Sequence, residues 1–131
     1  MNEVNRRCVL IVEPERDVGE LFARALESRR DCKCYIAVKE DDAIELLKDI
    51  PFDLILSDMT TTMAKDYSLL KKIKRFFPDI TLVVDGYLHQ KPQINRALEL
   101  GAHAYLIKPI KVELFRKKIE EFYTIDPLRP L

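Results

Sequence analysis

Four stretches of this chain are apolar or β-branched from end to end: residues 8–12 (Cys-Val-Leu-Ile-Val), 54–56 (Leu-Ile-Leu), 80–84 (Ile-Thr-Leu-Val-Val) and 104–107 (Ala-Tyr-Leu-Ile). A strand with one wet face alternates polar and apolar residues. Runs without alternation belong to strands covered on both faces, as in a parallel sheet between two layers of helix. A fifth stretch, 32–38 (Cys-Lys-Cys-Tyr-Ile-Ala-Val), alternates enough to be an edge strand.

Helical spacing fills the gaps. Val18, Leu21, Phe22, Ala25 and Leu26 recur at three- and four-residue intervals and predict an amphipathic helix. Glu40, Asp41 and Asp42 put acids at a second helix start, where the dipole favours them. Ala43, Ile44, Leu46, Leu47 and Ile50 form its stripe before Pro51 ends it. Residues 59–64 read as a polar loop, followed by a helix with Tyr67, Leu70, Ile73 and Phe77 on its inner face. A short helix around Ile94, Ala97 and Leu98 is capped by Gly101. A last one from about Lys111 to Tyr123 buries Val112, Phe115, Ile119 and Phe122, and leaves 124–131 as a tail. Five strands alternating with five helices predict a doubly wound, three-layer αβα domain. Its five-stranded parallel sheet takes the flavodoxin-like order 2-1-3-4-5, because crossovers are right-handed. The expected organisation is one domain over 1–131, with a core of about 7–123.

Composition narrows the function. Basic and acidic residues balance at 22 each, so no global field points to nucleic acid. No apolar run approaches the roughly 20 residues that span a bilayer, and the polar start has no signal-peptide core. A cytoplasmic protein is expected. Cys8, Cys32 and Cys34 have no framework spacing and read as reduced, packed thiols.

The chemistry gathers at the strand ends. Glu13 follows the first strand, Asp58 the third, Asp85 the fourth and Lys108 the fifth. Parallel strands bring all four to the carboxyl edge of the sheet, where open α/β sheets place their ligands. Converging carboxylates repel one another and invite a hard cation such as Mg²⁺, and an ammonium beside them can pair with a phosphoryl oxygen.

The order of elements, the Asp ending the third strand, residues 101–109 (Gly-Ala-His-Ala-Tyr-Leu-Ile-Lys-Pro) and the length together resemble the receiver domain of two-component response regulators. The resemblance covers about Arg7 to Tyr123. It implies that Asp58 accepts a phosphoryl group from a histidine kinase or phosphotransfer protein, and that Lys108 pairs with that group. It implies too that Glu13 and Asp58 hold Mg²⁺, that Tyr105 is a switching aromatic and that the peptide before Pro109 is cis. The chain departs from the pattern at three places. The family's second acid after the first strand is Pro14. The hydroxyl expected after the fourth strand is replaced by Asp85 or Gly86, depending on the direction of counting. Thr62 and Asp66 stand where Pro and Gly are usual.

Two functions follow. One is a stand-alone phosphorelay receiver that switches the affinity of a face for a downstream protein partner, not an enzyme beyond catalysing its own phosphorylation. The other is a degenerate receiver that binds its partner independently of phosphorylation. A flavin-type cofactor fold is disfavoured by the lack of a glycine-rich phosphate loop in a chain with three glycines.

Overall fold

The computed structural model describes residues 7–28 and 31–125. Five strands, β1 (Arg7–Val12), β2 (Cys32–Ala37), β3 (Leu54–Asp58), β4 (Thr81–Tyr87) and β5 (Ala104–Lys108), form one sheet in the order β2-β1-β3-β4-β5. Every neighbouring pair is parallel. Helices α1 (Arg16–Glu27), α2 (Glu40–Asp49), α3 (Met59–Phe76), α4 (Lys91–Glu99) and α5 (Val112–Ile125) connect and follow them. A single 3₁₀ turn, Leu88–Gln90, precedes α4. This is the expected architecture, with β2 at one edge and β5 at the other. The polar start and residues 126–131 of the expected tail lie outside the described residues; Thr124 and Ile125 belong to α5 rather than to a tail.

The alternation of side chains along each strand sorts the core into two halves. Val9, Ile11, Leu54, Leu56, Val83 and Leu106 face α1 and α5, where they meet Ala23, Leu26, Phe115, Ile119 and Phe122. Leu10, Val12, Ile55, Leu82 and Val84 face α2, α3 and α4, against Ala43, Leu47, Leu69, Leu70, Ile73, Ile94 and Ala97. Each buried Leu, Ile or Val contributes about 1.5–3 kcal/mol, which is why the uninterrupted runs occupy the inner strands.

Two helices turn differently from their periodicity. Leu21 is exposed in α1, because small Gly19 and Ala23 face the sheet and bring the helix close. Phe22 instead lies along α5, stacked on Phe115 at 4.6 Å. Val112 is exposed at the first position of α5. At the end of α4, Gly101 adopts φ +119°, and a Cβ there would fall 2.8 Å from the Lys74 side chain of α3.

The expected loop at 59–64 is helical from its first residue. The Asp58 carboxylate caps this turn by accepting the Thr60 N–H at 2.8 Å. The turn then breaks: Ala64 is extended, and Lys65, Asp66 and Tyr67 are all left-handed, with φ of 53°, 56° and 62°. Regular helix resumes beyond them and carries Leu69, Leu70 and Ile73 into the core.

Candidate functional site

Glu13 lies two residues past Ile11, Asp58 two past Leu56, Asp85 two past Val83 and Lys108 two past Leu106. Since all four apolar residues face α1 and α5, the period of two carries all four charged side chains to that same side, at the carboxyl edge of the sheet. The register agrees, with Asp58 directly opposite Asp85.

The Lys108 ammonium sits among the carboxylates. It donates to Asp58 Oδ1 at 2.9 Å and Glu13 Oε1 at 3.1 Å, and lies 3.5 Å from Asp85 Oδ1. The acids are buried, at 3%, 6% and 2% exposure for Glu13, Asp58 and Asp85. The second oxygens of two of them are fixed by backbone. Glu13 Oε2 accepts the Glu15 N–H at 3.1 Å, and Asp58 Oδ2 accepts the Thr60 N–H. Asp85 Oδ1 is fully buried with no hydrogen-bond partner.

Burial pushes the Asp85 carboxyl up to about 7, against the pull of Lys108 and with the help of the neighbouring Asp58 and Glu13 charges. Burial alone would lower the Lys108 ammonium, but Asp85, Asp58 and Glu13 together hold it above its ordinary value.

One oxygen each from Glu13, Asp58 and Asp85 lies within 4.8 Å of the other two. Oxygens on a common Mg²⁺ at about 2.1 Å stand about 3–4 Å apart, so three hard ligands already converge to within reach of one ion, and Asp85 Oδ1, ion-paired to Lys108 at 3.5 Å but without a hydrogen bond, is one of the oxygens available to it. The residues therefore fit a hard divalent cation. Pro14 and Glu15 are both exposed, so neither restores the acid missing after β1. The third carboxylate comes from β4 instead.

The two candidates for the hydroxyl position separate by side of the sheet. Asp85 points into the site. Gly86 points to the other side, where a Cβ would stand 2.7 Å from Gln90 Oε1 and 2.9 Å from Met59 Cγ, so even a serine is excluded without rearrangement. Tyr105 is not in the site. It is 38% exposed on β5, with the Lys91 ammonium 5.0 Å from its ring centre. The nearer aromatic is Tyr87, whose ring centre is 5.4 Å from Lys108 Nζ. The peptide before Pro109 is cis.

Sequence reasoning noted Thr62 only as a residue standing where Pro is usual and gave it no role. Its buried hydroxyl donates to the Asp58 carbonyl at 2.8 Å and shares a 2.7 Å hydrogen bond with Ser57 Oγ, so it locks the turn that presents Asp58. The signal was an Asp with Thr four residues on, a helix start following directly on a strand.

Known proteins resemble this chain along most of its length. Residues 9–120 match the model of the response regulator receiver domain family. The two-component response regulator ARR7 of Arabidopsis thaliana is 31% identical over 78% of this chain and 50% of its own length. The transcriptional regulatory protein MalR of Bacillus subtilis is 30% identical over 87% of the chain and 49% of its own. The chain thus spans about half the length of these relatives. A response regulator from Thermotoga maritima superposes with a TM-score of 0.82 at 22% identity, covering 91% of this chain and 98% of that one, and shows the same fold. No described helix is long and apolar enough to cross a membrane. By its family match, its sheet order and its relatives, this chain belongs to the response regulator receiver domains.

Proposed function

We propose that the protein is a phosphoacceptor switch in two-component signalling, with Asp58 taking a phosphoryl group from a phosphohistidine of a histidine kinase or phosphotransfer protein. The observation that carries this reading is the Asp58–Lys108 pair, a strand-end carboxylate held 2.9 Å from an ammonium at the open edge of the sheet. An Asp58 oxygen attacks phosphorus, the P–N bond breaks, and its electron pair leaves with the donor imidazole, giving an aspartyl phosphate. Lys108 follows the new charge by pairing with a phosphoryl oxygen. Glu13, Asp58 and Asp85 would hold Mg²⁺, which when bound neutralises phosphoryl charge. Thr62 and the Thr60 N–H keep the acceptor carboxylate aimed.

The partner-facing surface in this reading is that of α4, β5 and α5, where Tyr105 is exposed beside Lys91, with Tyr87 exposed at the end of the neighbouring β4. The output is a change in protein binding; the chain turns over no substrate beyond its own phosphorylation and acts in the cytoplasm. A second reading, a receiver that binds its partner regardless of phosphorylation, is favoured by Asp85, which puts a carboxylate where a hydroxyl would meet the phosphoryl group.

Intact mass after incubation with a small acyl phosphate and Mg²⁺ separates the two. The switch reading expects one added phosphoryl group on the wild type and none on Asp58→Asn. An unchanged wild-type mass, with partner binding also unchanged in Asp58→Asn, establishes the second reading.

A further inference from the structure

Cys32 and Cys34 stand two residues apart on the edge strand β2, so both side chains fall on the face of the sheet that α1 and α5 cover. Their sulfurs meet at 4.0 Å and share a hydrogen bond. Cys34 is buried and Cys32 half-buried, so the pair opens to solvent through Cys32. Cys32 lies opposite Arg7, the first residue of β1, which puts the pair at the end of the sheet away from Asp58. Its backbone is pinned from α1, where Glu27 Oε2 accepts the Cys34 N–H at 2.8 Å. The hydrogen bond from Cys34, and behind it the Arg7 charge, hold the Cys32 thiol below its ordinary value against burial and the carboxylates of Asp31 and Glu27. The thiolate that results is the form of cysteine that ligates metals.

Geometry decides what such a pair can take. A disulfide needs Cβ atoms about 3.5–4.5 Å apart, whereas two residues of one extended strand advance about 6.6 Å, so closing that bond would break the strand. Two sulfurs on one ion at about 2.3 Å span at most about 4.6 Å, so at 4.0 Å these two already bracket a single ion. Zinc asks for four ligands. Among the described residues, three His, Cys, Asp or Glu groups converge only at Glu13, Asp58 and Asp85, so no third such ligand reaches the cysteines. A soft ion satisfied by two thiolates fits instead, and that is the chemistry of Cu(I).

We propose that Cys32 and Cys34 form a two-coordinate thiolate site for Cu(I), separate from the phosphoacceptor end of the sheet. Binding exchanges two S–H bonds for two S–Cu bonds and releases two protons. Copper stays Cu(I), and nothing is oxidised. The S–Cu–S unit carries one negative charge, which the Arg7 guanidinium favours from the neighbouring strand. Glu27 acts as a positioning residue, since its bond to the Cys34 N–H fixes the strand from which both sulfurs project.

The test is anaerobic titration of the full, reduced chain with Cu(I) in competition with a chromogenic Cu(I) chelator such as bicinchoninate. One copper per chain is expected. Cys32→Ser and Cys34→Ser should each weaken binding by at least about a hundredfold, since outer-shell changes alone reach that size. Cys8→Ser, whose thiol packs on the opposite face of the sheet, should bind as the wild type does. A wild type that leaves all the copper with the chelator overturns the proposal, and so does an equal loss in all three variants. An equimolar amount of Zn²⁺ should leave the copper in place, and its displacement would overturn the choice of ion. Should Cys34→Ser fail to fold, X-ray absorption at the copper edge of the loaded wild type decides: two sulfur neighbours and no nitrogen or oxygen are expected, and three or more neighbours refute the two-coordinate site.

Discussion

Strand β3 begins beside one aspartate and ends in another, and the two have opposite fates. Asp53 accepts the Cys8 N–H at 2.7 Å through Oδ2, while its own N–H bonds the Cys8 carbonyl at 2.8 Å, a reciprocal clasp between neighbouring strands. Asp58 has one oxygen on a backbone amide and the other on an ammonium that two more carboxylates also claim. The first arrangement matches one acceptor to one donor and does only structural work. The second crowds three acids around one cation and leaves a buried oxygen without a hydrogen bond, and such shortage of donors is the mark of a site that awaits something.

The comparison predicts a graded series. Lys108→Met should have the largest effect, a loss of about 3–5 kcal/mol at neutral pH, because it strands buried carboxylates with no counter-charge. Urea unfolding would show it, and a loss under about 1 kcal/mol would mean that the acids at this end are satisfied much as Asp53 is. Asp53→Ala should cost about 2–3 kcal/mol, the value of a hydrogen bond to a charged acceptor, while leaving phosphoryl uptake by Asp58 unchanged in the mass experiment. Reduced uptake would break the division between the two ends.

Asp85→Asn should have the smallest effect and the opposite sign. The folded state holds the Asp85 proton up to about pH 7, whereas the unfolded chain releases it near its ordinary value of 3.8. Between those values the folded state binds more protons, so Asp85 subtracts stability progressively as pH rises through the window and in full above it. The window spans roughly 4 kcal/mol, from which the cost of burying the Asn amide is subtracted, so replacing it should stabilise the protein by about 1–2 kcal/mol at pH 8, a gain that disappears toward pH 4. Melting temperatures of both proteins across that range check this, and a pH-independent difference would show that Asp85 is already satisfied when ionised.

The legible part of this chain was the part governed by a period of two. Once four runs are read as buried parallel strands, Glu13, Asp58 and Lys108 must share an edge, and counting from Val83 places Asp85 beside them. The sequence left Asp85 and Gly86 as alternatives because counting back from Gly101 gives a different residue from counting along the strand. Packing of Met59 decided between them. Helix faces were less legible: the stripe through Leu21 gave way to close contact at Gly19 and Ala23, a tertiary choice that periodicity does not encode. No Gly or Pro in this sequence marks the break in α3, and the one hint was that Asp66 stands where the family usually has Gly. Left-handed conformations cost ordinary L-residues roughly 1–2 kcal/mol each, and the core positions of Leu69, Leu70 and Ile73 offset that cost from several residues away.

That break sets the electrical reach of Asp58. An unbroken helix of eighteen residues would aim a full macrodipole at Asp58, whereas a turn ending at Ala64 offers the summed peptide dipoles of only about five residues. Asp58 is thus tuned by a short local field, and rearranging that turn would disturb one capping bond and the Thr62 hydroxyl rather than the packed body of α3. Asp58 stands on a plinth separate from the column behind it, joined to α4 at the seam, where the Tyr67 hydroxyl donates to the Gln93 carbonyl at 3.2 Å.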